Sequence, residues 1–271
     1  MKHIKIWKNT SVLNKFNEGL TFTEDKQSAN LILLGSRAID LDQFSNVKGI
    51  FRAGVGRDNI PIKDCERRSI IVQYPSEETT LCLYEETANY TVSLILRMLY
   101  PSPDISLPWE KIYRTSLHKK TALVIGTGNI GSRVTSKLEK LMEVYTFDVA
   151  HNEPDELEPL IKAADIITLH IPNSEENNNF FDNKTLSWMN EGSILVNTAR
   201  ANLVNEDSLY RELKQGRIRA AFDVFWQEPY EGKLMEMYPD PFYMSPHIAS
   251  SSEEFFIGCR RDLDVMIKKM E

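Results

Sequence analysis

Leu123-Val124-Ile125-Gly126-Thr127-Gly128-Asn129-Ile130-Gly131 decides the fold of this 271-residue chain. The apolar run 122–125 reads as a buried parallel strand that enters a G-x-G-x-x-G turn. A helix pattern follows, with Ile130, Val134, Leu138 and Leu141 on one face. Gly126 allows the tight turn, Gly128 lets a pyrophosphate approach the backbone, and Gly131 lets helix and strand pack closely. The helix N-terminus then offers free N–H groups and the positive end of its dipole to phosphates. Glycines at this spacing also occur in plain turns, so the motif needs its context. A second strand, 144–147, supplies it by ending at Asp148, about 20 residues on, where a ribose-binding acid belongs. Strand, glycines, helix, strand and acid in that order describe a dinucleotide site.

Composition narrows the classes of function. The chain is 42% hydrophobic and 26% charged, the balance of a folded globular protein, and long enough for two α/β domains. A formal net charge of -7 argues against a nucleic-acid partner, which would call for a basic face. Cys65, Cys82 and Cys259 are scattered, without C-x-x-C spacing, so neither a disulfide framework nor a metal site is expected. The opening MKHIKIWKNT lacks the apolar core of a signal peptide, and the apolar stretch 92–99 is too short to span a bilayer. The expectation is a cytoplasmic protein with no membrane partner.

Short apolar strands at 4–7, 31–34, 49–53 and 70–73 alternate with helical segments at 41–47 and 60–68, which predicts a small parallel sheet. Its loop Arg52-Ala53-Gly54-Val55-Gly56-Arg57-Asp58-Asn59-Ile60 brings bare backbone N–H groups to the carboxyl edge of that sheet, where ligands bind. A plain turn with a helix cap at Asp58 or Asn59 is the competing reading. A long helix over 77–100, with Leu83, Thr87, Val92, Ile95 and Leu99 inward, ends in a stretch broken by Pro101, Pro103 and Pro108. Beyond Asp148 come a helix over 153–164, a strand 165–170, an exposed loop 173–179, a helix 183–189 and a strand 193–198. Asn205 is placed to cap a helix running to Gln215, with Gly216 at its C′ position. Strands 219–225 and 242–245 and a last helix over 252–269 complete the pattern. The alternation predicts a Rossmann-type doubly wound sheet over 86–251 and a smaller substrate domain made of 1–85 and 252–271.

Three polar residues follow three of these strands: Arg200, Glu228 and His247. Singly, each has a bland reading as a surface charge or a structural imidazole. At the carboxyl ends of strands in one sheet they form a usable set beside a nicotinamide. Arginine grips a carboxylate with a planar two-pronged fork, histidine moves a proton near neutral pH, and glutamate orients the histidine. That set suits reduction of a 2-keto acid.

At these residues the chain resembles the D-isomer-specific 2-hydroxyacid dehydrogenases, of the phosphoglycerate dehydrogenase and glyoxylate/hydroxypyruvate reductase kind. The matching stretches are RAGVGRDNI (52–60), ALVIGTGNIG (122–131), ADIITLHIP (164–172), ILVNTARANLV (194–204), AAFDVFWQEP (220–229) and SPHIAS (245–250). The resemblance implies an NAD-dependent dehydrogenase of a small 2-hydroxy or 2-keto acid, a flavodoxin-like substrate domain, and a homodimer. It implies Arg200, Glu228 and His247 as catalytic residues. It places the cofactor on Gly126, Gly128, Asn129, Ile130, Gly131, Asp148, His170, Pro172, Thr198 and Ala199, with Asp223 on the nicotinamide carboxamide side. Substrate contacts fall to Arg52, Arg200 and the backbone of Val55 and Gly56.

Several positions depart from the family pattern. The N-terminal domain is shortened by about a strand-helix unit. Arg-Gly becomes Arg200-Ala201, the usual Asp after Leu-Val is Asn205, and Arg57 replaces a commonly apolar residue. The shortening motivates a rival reading, a protein that senses NAD(H) or acts as a scaffold with little turnover. Asp148, with only His151 and Lys140 as nearby positive charges, favours NAD over NADP. Arg52 and Arg57 flanking the loop, with Arg37 nearby, lean the substrate toward an acid with a second anionic group. Against that lean, Gly35 stands near where phosphoglycerate dehydrogenases place another arginine, and interdomain or surface pairing of these arginines is the alternative.

Overall fold

A computed structural model describes residues 4–100, 111 and 113–270; Pro101, Pro103 and Pro108 lie outside the described residues. The chain divides into two compact units, Met1–Leu83 with Ser251–Glu271, and Tyr84–Ser250.

The first unit is a five-stranded sheet of β1 (Lys5–Lys8), β2 (Thr21–Phe22), β3 (Leu31–Leu34), β4 (Gly49–Arg52) and β5 (Ile71–Gln73). All pairings are parallel, in the order β2-β1-β3-β4-β5, which is the flavodoxin-like winding. β3 reads Leu-Ile-Leu-Leu because it is buried along its whole length. No α-helix lies between β1 and β2 or between β2 and β3, although the sheet itself has five strands. The strand β2 was not foreseen, being only two residues long. The helix expected over 41–47 is instead one 3-10 turn, Leu41–Gln43, capped by the Asp40 carboxylate accepting from the Asp42 N–H. Phe44 follows in extended conformation and is buried against Trp7 and Leu41, so packing ends the turn there. α1 runs Ile62–Arg67, and α7, Glu253–Met270, returns to this unit, where the Met266 methyl lies over Gly49.

The second unit is a six-stranded parallel sheet of β6 (Thr121–Ile125), β7 (Glu143–Phe147), β8 (Ile166–Leu169), β9 (Ile194–Asn197), β10 (Arg219–Phe222) and β11 (Phe242–Met244). Their order is β11-β10-β9-β8-β6-β7. Residues alternate across the sheet, so β6 sends Leu123 and Ile125 to one core cluster and Ala122 and Val124 to the other. Both faces are buried, which is why the strand reads as an unbroken apolar run. On the first side pack α4 (Leu157–Ala163), α5 (Asn183–Ser187) and α6 (Glu206–Lys214); on the second, α2 (Glu77–Leu99) and α3 (Gly131–Leu138). α3 stops at Leu138, one turn short of the expected Leu141, and the helix predicted over 153–164 opens as a 3-10 turn, Pro154–Glu156. Asn205 caps α6 as expected, its side chain accepting from the Ser208 N–H, and Gly216 follows with φ +69. All three cysteines are unbridged. Among the described residues no helix is long and apolar enough to cross a membrane.

Candidate active site

The chain leaves β6, crosses to β7 on one side and returns to β8 on the other, so the crevice between β6 and β8 is the switch point of the sheet. The glycine loop sits there. Gly126 has φ +93, and a Cβ on it would lie 2.6 Å from the His170 carbonyl oxygen; one on Gly131 would run into the Gly126 carbonyl. These two glycines are demanded by the fold itself. Gly128 is different, since a Cβ there would meet no atom within 4 Å. The space above the middle glycine is open, as a pyrophosphate requires, so the loop fits a dinucleotide. Asn129 and Ile130 lead from it into α3.

Asp148 ends β7 and turns back onto the loop. Its Oδ2 accepts from the Thr127 N–H at 2.7 Å and the Thr127 hydroxyl at 2.9 Å, and its Oδ1 from the Ala150 N–H at 3.0 Å. The Thr127 backbone bond foremost, then the Ala150 bond, holds this carboxyl below the usual carboxylate range. A carboxylate has about four acceptor positions, so Asp148 can brace the loop and still accept from a ribose hydroxyl. His170 follows β8, with Nε2 3.0 Å from the Thr168 hydroxyl, and burial pushes its imidazole down to about 3. It is a neutral, space-filling wall of the crevice, and Pro172 lies two residues further on.

Arg200, Glu228 and His247 follow β9, β10 and β11, three adjacent parallel strands, and so share the sheet edge that carries the glycine loop. The structure pairs two of them directly: His247 Nδ1 lies 2.9 Å from both oxygens of Glu228. An ionised carboxylate only accepts, so Nδ1 carries the hydrogen and Nε2 is the nitrogen able to exchange a proton. Glu228 is oriented by the Phe225 N–H, 3.2 Å from Oε1. Arg200 belongs to a neighbouring turn, where its Nη1 donates to the Ala199 carbonyl at 2.8 Å.

His247 has φ +55, a left-handed conformation that few residues other than glycine adopt. Asp223 holds it there. Fully buried, this carboxylate accepts from the Ser245 hydroxyl at 2.6 Å, the Ile248 N–H at 2.9 Å and the Ala249 N–H at 2.8 Å, gripping the loop on both sides of the histidine. Burial pushes the Asp223 carboxyl up, opposed first by the Ser245 bond. The structure thus gives Asp223 a loop-bracing task beyond the carboxamide contact that the resemblance implied. Asn197 does the same for Arg200: its Oδ1 accepts from the Ala199 N–H at 3.0 Å and its Nδ2 donates to the Arg200 carbonyl at 2.8 Å. Sequence reasoning passed over Asn197. The signal was there, a polar residue closing the buried run Ile194-Leu195-Val196.

In the first unit, the loop after β4 is built around Arg52, which is 5% exposed. Its Nε donates to the Gly56 carbonyl at 3.1 Å and Asn59 Oδ1 at 3.2 Å, and its Nη1 to the Ala53 carbonyl at 2.9 Å. Arg52 therefore shapes the turn that presents Val55 and Gly56. Asn59 is no helix cap: it is buried and donates to the Gly35 and Arg37 carbonyls, while α1 starts after Pro61 without a side-chain cap. Arg37 donates to the Asn9 carbonyl at 2.9 Å. Arg57 is the exposed guanidinium of the loop, 4.9 Å above the Tyr74 ring. Among the described residues no group of three or more His, Cys, Asp or Glu side chains could hold a metal.

Comparison with known proteins points the same way. Residues 106–249 match the sequence profile of the D-isomer specific 2-hydroxyacid dehydrogenase NAD binding domain. The chain is similar to the D-3-phosphoglycerate dehydrogenase of Archaeoglobus fulgidus, 33% identical over 227 residues that cover 77% of this chain and 42% of that protein. It thus spans less than half the length of that relative. It is similar to the hydroxypyruvate reductase of Thermotoga maritima, 32% identical over 77% of this chain and 72% of that protein. Its fold is that of the D-lactate dehydrogenase of Aquifex aeolicus, solved with NAD and lactic acid, with a TM-score of 0.79, 23% identity and coverage of 98% and 95% of the two chains.

Proposed function

This chain belongs to the D-isomer specific 2-hydroxyacid dehydrogenase family, and from that premise we propose that it interconverts a small 2-keto acid and its 2-hydroxy acid with NAD as cofactor. The observation that carries the reading is the His247–Glu228 pair, set on the same sheet edge as an open glycine loop. A bound nicotinamide supplies or accepts the hydride at substrate C2. His247 Nε2 exchanges the proton on the substrate oxygen, while Glu228 fixes the ring and its tautomer. Arg200 holds the substrate carboxylate through its fork. Asp148 favours NAD, because its charge would repel a 2′-phosphate.

For the substrate, the lean remains toward an acid with a second anionic group, and its support shifts from Arg52 to Arg57. Arg52 is buried with donors engaged in its own loop, whereas Arg57 is exposed and oriented by the Tyr74 ring. A charge-assisted contact there is worth about 1.5–3 kcal/mol, roughly one to two decades of preference. The test is oxidation of NADH, followed by absorbance, with glyoxylate, pyruvate, hydroxypyruvate and phosphohydroxypyruvate. Turnover that falls roughly 10²–10⁴-fold in His247→Gln, with NADH binding unchanged, is the expected result. Preference for phosphohydroxypyruvate should shrink in Arg57→Ala; equal use of both substrates leaves a general hydroxypyruvate or glyoxylate reductase. NADH binding without turnover on any acid would favour the sensing role that the helix-poor start of the first unit suggests.

A further inference from the structure

Asp148 is more heavily engaged than a ribose-reading acid needs to be. A carboxylate has about four acceptor positions, two on each oxygen. Both positions on Oδ2 go to one residue of the glycine loop, the Thr127 N–H at 2.7 Å and the Thr127 hydroxyl at 2.9 Å. One position on Oδ1 goes to the Ala150 N–H at 3.0 Å. Among the described residues no other group donates to this carboxylate, so a single position stays open, on Oδ1. The main chain of the acid is held as well. Its N–H donates to Asn152 Oδ1 at 3.0 Å, and its carbonyl accepts from the His151 and Asn152 N–H groups at 2.8 and 2.9 Å. Asn152 is fixed in turn by Glu156, whose Oε2 accepts from Nδ2 at 2.9 Å.

A ribose presents two neighbouring hydroxyls, each able to donate. The open position on Oδ1 takes one of them. The other needs a second acceptor beside Asp148, and Thr127 Oγ1 lies 2.9 Å from Oδ2. A carboxylate only accepts, so the threonine has given its one hydroxyl proton to Asp148, and Oγ1 keeps its lone pairs for another donor. A hydroxyl that donates to an anion is also polarised toward accepting. Thr127 is half-buried rather than sealed in the core, and it adjoins Gly128, above which the space is open.

We propose that Thr127 is a cofactor-specificity residue: its Oγ1 accepts from one ribose hydroxyl of NAD while Asp148 Oδ1 accepts from the other. The inference rests on the NAD-dependent function proposed above. It divides between two residues a task that spacing along the chain gave to Asp148 alone. A 2′-phosphate, whose oxygens only accept, would meet lone pairs at both residues, so Thr127 adds to the discrimination against NADP.

The experiment is a cycle between protein and ligand. Binding of NADH and of its 2′-deoxyadenosine and 3′-deoxyadenosine forms is followed by fluorescence in the unmodified protein, Thr127→Val and Thr127→Ser. Thr127→Val keeps the shape of the side chain and the backbone N–H bond to Asp148, and exchanges Oγ1 for a methyl group. It should bind NADH roughly three- to tenfold more weakly, the worth of one hydrogen bond between uncharged groups. That loss should disappear with one of the two deoxy forms and persist with the other, because only one hydroxyl faces Thr127. Thr127→Ser should bind all three ligands as the unmodified protein does. A purely structural role would weaken all three ligands alike in Thr127→Val, and that result would overturn the proposal. Unchanged or tighter NADH binding in Thr127→Val would overturn it too, by showing that the ribose takes Oδ2 from the threonine hydroxyl. None of these readings needs turnover. Unmodified protein that binds NADH but reduces no keto acid would remove the proposed function and leave the cycle to decide the role of Thr127; protein that binds no NADH would refute both.

Discussion

Between pH 7 and pH 5, acid should weaken the second unit through His170. Burial holds its folded-state pKa at about 3, against 6.5 for an exposed imidazole. The unfolded chain therefore takes up a proton below pH 6.5 that the folded chain refuses, and stability is lost as pH falls from 6.5 toward 3. Each pH unit in that window costs about 1.4 kcal/mol, so moving from pH 7 to pH 5 removes about 2 kcal/mol. The ring is held in place through Nε2, 3.0 Å from the Thr168 hydroxyl. His170→Gln keeps a polar atom near the Nε2 position and removes the titration. Urea unfolding of both proteins at pH 7 and pH 5 gives the comparison, in which the other histidines cancel. The unmodified protein should lose about 2 kcal/mol more than the variant over that interval. Equal losses would mean that His170 takes up its proton in the folded state, and the argument from burial would fail.

Two further substitutions test the site. Asp223→Asn keeps the shape but turns amide hydrogens toward the Ala249 N–H, losing a charge-assisted bond in a fully buried place. About 1.5–3 kcal/mol of stability should go, readable by calorimetry as a fall of several degrees, and turnover should drop with it; unchanged melting and turnover would remove Asp223 from its bracing role. The glycines separate fold from ligand. Gly128→Ala should leave the melting temperature unchanged, since no atom lies within 4 Å of the new methyl group, yet weaken NADH fluorescence binding, whereas Gly131→Ala should harm both because its methyl meets the Gly126 carbonyl. NADH binding undiminished in Gly128→Ala would argue against a pyrophosphate over that glycine.

The sequence by itself determined the parts of this protein whose causes are local. An unbroken apolar run such as 122–125 that enters a glycine turn reads as a strand buried on both faces, and the strand, helix and acid that follow the glycines give the turn its context. So the β6 turn, its helix, Asp148 at the end of β7, and Arg200, Glu228 and His247 after their strands were all legible. The helix at 41–47 was not, because Phe44 left the turn for a core made of residues distant in the chain. Tertiary structure alone decided what each polar side chain meets. Whether Arg52 faces a ligand or its own loop depends on Asn59 and the Gly56 carbonyl closing around it. Asp223 became a brace because β10 and β11 lie side by side, bringing Ile248 and Ala249 to a carboxylate 25 and 26 residues away. Thr91 met Thr198 across 107 residues only once α2 had packed on the sheet. Strand patterns follow from solvent exclusion along a few neighbouring residues, but the direction of a hydrogen bond is set by whichever partner the assembled core places within 3 Å of it.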